Sequence, residues 1–90
     1  MNEVRVKRAK LRAWRRGFRE VDLILGPFAD ERAASMNASE LGRFERLLEQ
    51  NDHDLYAWIV GAVPTPPEFD DTVMAALRAS AWAPHKSQGD

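Results

Sequence analysis

The residues in this sequence best suited to form a binding site are two arginines, a glycine and a glutamate near the start of the chain. Arg15 and Arg16 carry guanidinium forks, which donate paired, charge-assisted hydrogen bonds to carboxylates and phosphates. Gly17 can adopt a positive φ and lets a second backbone approach closely. Glu20 follows Arg16 by four residues, so it can pair with that guanidinium or cap the next helix. The cluster indicates a binding surface, and the alternative is an ordinary helix break with an ion pair.

No catalytic or metal-binding set of residues accompanies this cluster. The sequence has no Gly-x-Ser-x-Gly elbow, no phosphate-binding glycine loop and no His-Glu-x-x-His pair. It also has no cysteine, which removes thiolate metal sites and cysteine nucleophiles. Asp52, His53 and Asp54 are consecutive, so at a helix start their side chains point in different directions, and His53 is predicted to be an exposed polar residue. We therefore predict no catalytic residue and no bound metal.

The length and composition indicate one small globular domain. The chain has 90 residues, of which 44% are hydrophobic and 30% charged, and this length suits a single modest core. No apolar run approaches the roughly 18 residues needed to cross a bilayer. The first residues alternate in charge, unlike a secretory signal. A soluble protein without membrane insertion is the expectation, folded over residues 1–82, with a disordered tail over residues 83–90.

The basic residues are concentrated at the start of the chain. Eight of the 13 basic residues but only one of the 14 acidic residues fall within residues 1–19, so this arm carries a charge of +7 and the remainder −8. Such an asymmetry predicts a partner surface for nucleic acid, anionic lipid or an acidic protein. Alternatively, the acidic body neutralises its own arm. Four arginines recur at helical spacing, as a nucleic-acid-binding helix requires: Arg5, Arg8, Arg12 and Arg15.

Apolar residues recur at helical spacing throughout, and no stretch alternates with period two, so we predict an all-α bundle of about five short helices. In the first helix, the stripe predicted to face the core ends at Gly17 and consists of Val4, Lys7, Leu11 and Trp14. The second helix should be kinked or interrupted at Gly26-Pro27, because proline lacks a backbone donor and crowds the preceding turn.

Helix starts and ends are marked in the second half of the chain. Asn37 with Glu40 predicts a capping box, Asp52 predicts an N-cap, and Gly61 predicts a helix end. The segment 65–68, Thr-Pro-Pro-Glu, predicts the start of the last helix. The apolar residues predicted to face the core are Val21, Ile24, Leu25, Phe28, Leu41, Phe44, Leu47, Leu48, Leu55, Trp58, Ile59, Phe69, Val73, Ala76 and Leu77.

The cluster around Gly17 resembles a family signature. Arg16-Gly17-Phe18-Arg19-Glu20 is similar to the Arg-Gly-x-x-Glu motif of the succinate dehydrogenase assembly factor 2 family, also called flavinylation factors. The flanking residues agree with the family: Trp14, Arg15, Val21, Asp22, Leu23, Pro27 and Phe28. A second signature follows at the family's spacing: Phe44, Leu47, Leu48, Glu49, Asp52, Asp54, Leu55, Tyr56 and Trp58. The sequence departs from the family at His53, where members often have proline.

The resemblance implies a bundle of about five helices that acts as an assembly factor and not as an enzyme. Such a factor binds the flavoprotein subunit of succinate dehydrogenase, or in some bacteria that of fumarate reductase. It promotes covalent attachment of FAD to a histidine of that subunit and holds no cofactor stably itself. Arg16, Gly17 and Glu20 match the motif and are expected to face the partner, together with their neighbours Arg15, Phe18 and Asp22. We expect a monomer in the bacterial cytoplasm, and the alternative function is that of a nucleic-acid-binding domain.

Overall fold

Five α-helices make up most of residues 3–82, the part of the chain that the computed structural model describes. Their bounds are Glu3–Trp14 for α1, Arg19–Arg32 for α2, Ala38–Leu48 for α3, Asp52–Val60 for α4 and Thr72–Trp82 for α5. Short 3-10 turns cover Ala33–Ser35 and Pro67–Phe69. No strand occurs within residues 3–82, so the all-α prediction is confirmed. The predicted disordered tail lies outside the described residues.

The core is formed where the apolar faces of the five helices meet. The rings of Phe28 in α2 and Phe44 in α3 lie 5.5 Å apart at its centre, and Trp58 in α4 is 8% exposed. Most residues predicted for the core are buried, and Ile24, Phe69 and Ala76 pack on its edge. Met74, which the sequence analysis did not select, is also fully buried. Burial of these faces, at roughly 25 cal/mol per Å² of apolar surface, is the main force holding the helices together.

The predicted orientation of α1 is wrong. Val4, Leu11 and Trp14 are 66%, 53% and 41% exposed, whereas Ala9 and Ala13 are buried against the core. Alanine faces allow close approach of helices, and a bidentate ion pair joins α1 to α3 in this orientation. Its Arg5 donates through Nε and Nη2 to the Glu45 carboxylate of α3, at 3.1 and 2.8 Å. This bond holds the pKa of Glu45 below its ordinary value.

The second helix is not interrupted, since α2 runs through Gly26 and Pro27 without a break, and the alternative of a kink at these residues stays a prediction. Gly26 is buried because the indole of Trp14 lies directly against its backbone. A Cβ at this position would come within 2.4 Å of two indole carbons. The Trp14 indole N–H also donates to the Asp30 carboxylate at 3.1 Å. Trp14 thus packs α1 on α2 at Gly26, next to the proline.

The cap of α3 is as predicted, and that of α4 lies one residue earlier than predicted. The Asn37 side chain accepts from the Glu40 N–H at 2.8 Å, and the Glu40 carboxylate accepts from the Asn37 N–H at 3.0 Å, which confirms the capping box. In α4 the N-cap is Asn51, whose Oδ1 accepts from two backbone N–H groups. Asp52, the predicted cap, is the first residue of the helix, and its carboxylate accepts a hydrogen bond from Arg16 instead. Gly61 ends α4 with a φ of 80°, as predicted.

The last helix begins later than the sequence indicated. The segment 65–68 leads only into the 3-10 turn, and α5 starts at Thr72. The ring of Phe69 stacks on Trp58 at 5.3 Å between centroids, and this contact holds the turn against α4. Asp71 supplies the cap instead, because its carboxylate accepts from the Met74 N–H at 3.0 Å.

The contact between Trp14 and Gly26 predicts that Gly26→Ala changes the free energy of unfolding in opposite directions with and without the indole. Gly26→Ala should lower the free energy of unfolding by about 1–3 kcal/mol, because its methyl group overlaps the indole. In a Trp14→Ala background the same substitution should raise it by up to about 1 kcal/mol, since alanine is favoured over glycine within a helix. Urea denaturation of the four proteins measures both effects. Stabilisation by Gly26→Ala in both backgrounds would refute the packing contact.

Candidate functional site

Residues 15–18 connect α1 to α2 and form the Gly17 loop. Gly17 has a φ of 88°, a backbone conformation that side chains strongly disfavour. A Cβ built at Gly17 would meet no atom within 4 Å, so glycine is required here by the backbone and not by crowding within the chain. The space above Gly17 is open, which leaves its backbone accessible to another molecule.

Arg16 anchors this loop to the connection between α3 and α4. Its guanidinium donates through Nε to the Asp52 carboxylate, through Nη1 to the Leu48 carbonyl and through Nη2 to the Gln50 carbonyl. The Arg16 side chain is only 9% exposed. Its backbone N–H donates to the Asp22 carboxylate of α2 at 3.1 Å. One residue thus connects the loop, α2 and the start of α4.

The predicted ion pair between Arg16 and Glu20 is not formed. The partner of Arg16 is Asp52, which lies 36 residues further along the chain. The guanidinium points inward because two backbone carbonyls at the end of α3 and a carboxylate at the start of α4 complement its planar fork. Glu20 is left exposed in the first turn of α2, where its negative charge suits the helix dipole.

Beside the loop lies an open cleft between the starts of α2 and α4. It has a volume of about 430 Å³. Seven residues line it: Gly17, Phe18, Arg19, Glu20, Asn51, Asp52 and His53. The half-buried ring of Phe18 forms one wall, 4.8 Å from the His53 ring in an edge-on contact and 5.8 Å from the Tyr56 ring. The cleft therefore combines accessible backbone, an aromatic wall and charges of both signs.

The six residues predicted to form the site all lie in this loop or the first turn of α2. Arg15, Gly17 and Glu20 are exposed and Phe18 and Asp22 are half-buried, whereas the guanidinium of Arg16 is turned into the protein. The sequence analysis missed Arg19, Asn51, Asp52 and His53, which complete the cleft, and Tyr56, whose ring contacts Phe18. Two of these, Asp52 and Tyr56, belong to the second signature, but no local pattern shows that the two signatures meet. His53 is exposed, as predicted.

Metal-binding clusters and membrane-spanning helices are the other features to consider in the part of the chain that the structure describes. Within residues 3–82, no three histidine or acidic side chains lie close enough together to hold a metal ion. No helix between residues 3 and 82 is long and apolar enough to cross a membrane.

The fold and the loop define a small all-α protein whose connection between α1 and α2 is anchored through Arg16 and exposed at Gly17. The sequence profile described as "Flavinator of succinate dehydrogenase" matches residues 7–81. The chain therefore belongs to this family of succinate dehydrogenase assembly factors, as the Arg-Gly-x-x-Glu resemblance indicated.

Curated relatives carry the corresponding names. The chain is 32% identical over 78 residues to succinate dehydrogenase assembly factor 2-B, mitochondrial, of Drosophila simulans. It is 35% identical over 78 residues to succinate dehydrogenase assembly factor 2-A, mitochondrial, of Drosophila mojavensis. Each alignment covers 84% of this chain and 50% of the relative. The chain thus spans about half the length of the curated relatives it matches.

The anchoring of Arg16 predicts unequal roles for two aspartates in the first turn of α4. Asp52→Asn should lower the free energy of unfolding by about 1–3 kcal/mol, because it leaves a nearly buried guanidinium without its counter-charge. The matched control Asp54→Asn removes an exposed carboxylate and should cost less than about 1 kcal/mol, its interaction with the helix dipole. Urea denaturation compares the two variants. Equal losses would mean that the ion pair does not anchor the loop.

Proposed function

We propose that this chain binds the flavoprotein subunit of succinate dehydrogenase through the Gly17 loop and promotes covalent attachment of FAD to that subunit. Membership of the flavinator family supports the reaction and the partner. The geometry of the Gly17 loop is the observation that supports this loop as the docking surface. Arg16 is bound inward, while Gly17 and Glu20 are held outward beside the cleft. A fixed loop can dock without losing much conformational entropy on binding.

The proposed role is that of a binding factor and not of an enzyme. A protein that binds the flavinylation-competent conformation of its partner more tightly than other conformations raises the population of that conformation. The partner then forms the bond to FAD with its own residues. This mechanism requires no stably bound cofactor and no catalytic side chain in the assembly factor. The same mechanism applies to the flavoprotein subunit of fumarate reductase, which we propose as a second partner.

The alternative of a nucleic-acid-binding domain receives less support. It relied on Arg5, Arg8, Arg12 and Arg15 as one exposed basic stripe. Arg5 is instead bound to Glu45, and the charges of Arg12 and Arg8 also contribute to the lowered pKa of that carboxyl. Part of the basic arm is therefore neutralised by the acidic body. A monomeric state stays a prediction. A location in the bacterial cytoplasm also stays a prediction, since the relatives are named as mitochondrial proteins.

Substitutions at Gly17 separate backbone strain from loss of docking. Gly17→Ala and Gly17→Arg should both lower stability by about 1–2 kcal/mol, because each places a side chain at positive φ. Only Gly17→Arg adds bulk to the open space, so it should weaken flavoprotein binding well beyond the effect of Gly17→Ala. Affinity is measured with the purified subunit, and covalent flavin is measured by fluorescence in a denaturing gel.

Glu20→Ala tests the outward carboxylate without touching the core. Glu31→Ala, an exposed glutamate at the other end of α2, is the matched control. With either variant as the sole copy in cells, we expect normal thermal unfolding, and we expect less covalent flavin for Glu20→Ala alone. Full covalent flavin with both Glu20→Ala and Gly17→Arg would contradict the proposed function of the loop.

A salt titration separates the proposed partner from nucleic acid. Duplex DNA should bind only weakly and should dissociate as salt approaches the physiological range, because its binding rests on phosphate contacts alone. Flavoprotein binding should weaken but persist, since contacts such as those of Phe18 do not depend on charge. Sequence-specific, nanomolar DNA binding at physiological salt would reverse the order of the two functions.

A further inference from the structure

The outer face of α1 carries large apolar side chains that lie outside the buried core. This face comprises Val4, Lys7, Leu11 and Trp14, and its three apolar members are between 41% and 66% exposed. Leu23 of α2, 56% exposed, extends the apolar surface because it lies one turn before Gly26, on which Trp14 packs. Exposed apolar surface that spans two helices is typical of interaction sites.

Basic side chains accompany this apolar surface. Lys7 lies within the outer face, and Arg15 follows directly after Trp14; both are exposed. Beside the face, an open groove of about 480 Å³ is lined by Glu3, Val6, Lys7, Lys10 and Ala34, so two amines and one carboxylate border it. An occupant that complements this arrangement needs apolar side chains opposite the stripe and carboxylates opposite the amines and the guanidinium.

We propose that the outer face of α1 docks an acidic segment of the flavoprotein that also carries apolar side chains, as one surface with the Gly17 loop. This inference rests on the proposed function, which supplies the partner. It adds a second contact region and the chemistry of the segment that occupies it. Trp14 and Arg15 lead directly into Gly17, so a protein seated on the loop reaches the end of α1 without a gap.

Two carboxylates favour a protein over a lipid surface as the occupant. Glu3 and Asp30 are exposed at the edges of the face, and Asp30 accepts the hydrogen bond from the Trp14 indole. A uniformly anionic bilayer would bring negative charge against both of them. A protein segment can place its carboxylates opposite Lys7 and Arg15 only. Nucleic acid is disfavoured because a phosphate backbone gains nothing from an apolar stripe.

Photo-crosslinking with the purified flavoprotein subunit tests the occupant directly. A photoreactive amino acid replaces Leu11 in the full chain, and a second protein carries it at Val63, an exposed apolar position between α4 and α5. We expect strong crosslinking from position 11 only, to a peptide with more acidic than basic residues. Crosslinking from position 11 no stronger than from position 63, or to a basic peptide, would overturn the proposal.

Affinity measurements on variants of the face provide the second test. Leu11→Ser and Lys7→Glu should each weaken flavoprotein binding by about fivefold or more, with helicity and thermal unfolding unchanged because both side chains are exposed. Lys7→Glu should also reduce the salt dependence of binding. The control Val63→Ser should bind like the unmodified chain.

The outcomes separate this proposal from the proposed function. If Glu20→Ala weakens binding while Leu11→Ser and Lys7→Glu do not, the outer face is not a docking surface and the loop keeps its role. If these two variants lose binding only to phosphatidylglycerol vesicles, the face is a membrane surface and the proposal is wrong. If the unmodified chain does not bind the flavoprotein, both proposals fail.

Discussion

The inward position of the Arg16 guanidinium determines the shape of the candidate site. Its donors reach a carboxylate of α4, the carbonyl of the last residue of α3 and a carbonyl of the α3–α4 connection, so the Gly17 loop is bound to a part of the chain more than 30 residues away. A nearly buried guanidinium is tolerated only when its charge and its N–H groups are satisfied. The cleft, the contact of Phe18 with His53 and the outward direction of Glu20 all depend on this anchoring.

Helix α1 illustrates how one helix serves the core and the surface with different residues. Its core contact uses Ala9 and Ala13, which are small enough for close packing on the neighbouring helices. Arg5 pairs with Glu45 of α3, and Val6 packs on the edge of the core. Val4 and Leu11 are exposed, whereas Trp14 is partly exposed and also packs on Gly26. The same helix thus packs on its neighbours through small residues and presents large apolar side chains to solvent.

Local patterns predicted the helical class, most of the core, the capping box at Asn37 and the end of α4 at Gly61. They failed where a distant contact decides the outcome. Periodicity could not orient α1, because its alanine face and its larger apolar stripe both recur at helical spacing. Trp14 packs on Gly26 of another helix, and Asp52 is used by Arg16, which lies 36 residues earlier. The second half of the cleft could not be predicted for the same reason: its residues meet the loop only in the folded chain.

The geometry gives a physical reason for the spacing of the Arg-Gly-x-x-Glu motif. Arginine precedes glycine because its side chain must enter the protein before the backbone turns outward at positive φ. Two residues then separate Gly17 from Glu20, enough to start α2 and to place Phe18 against α4. The glutamate falls in the first turn of the helix, where the dipole favours its charge and where the cleft is open. In this arrangement the arginine anchors the loop inward, and the glycine and the glutamate stay exposed where they line the cleft.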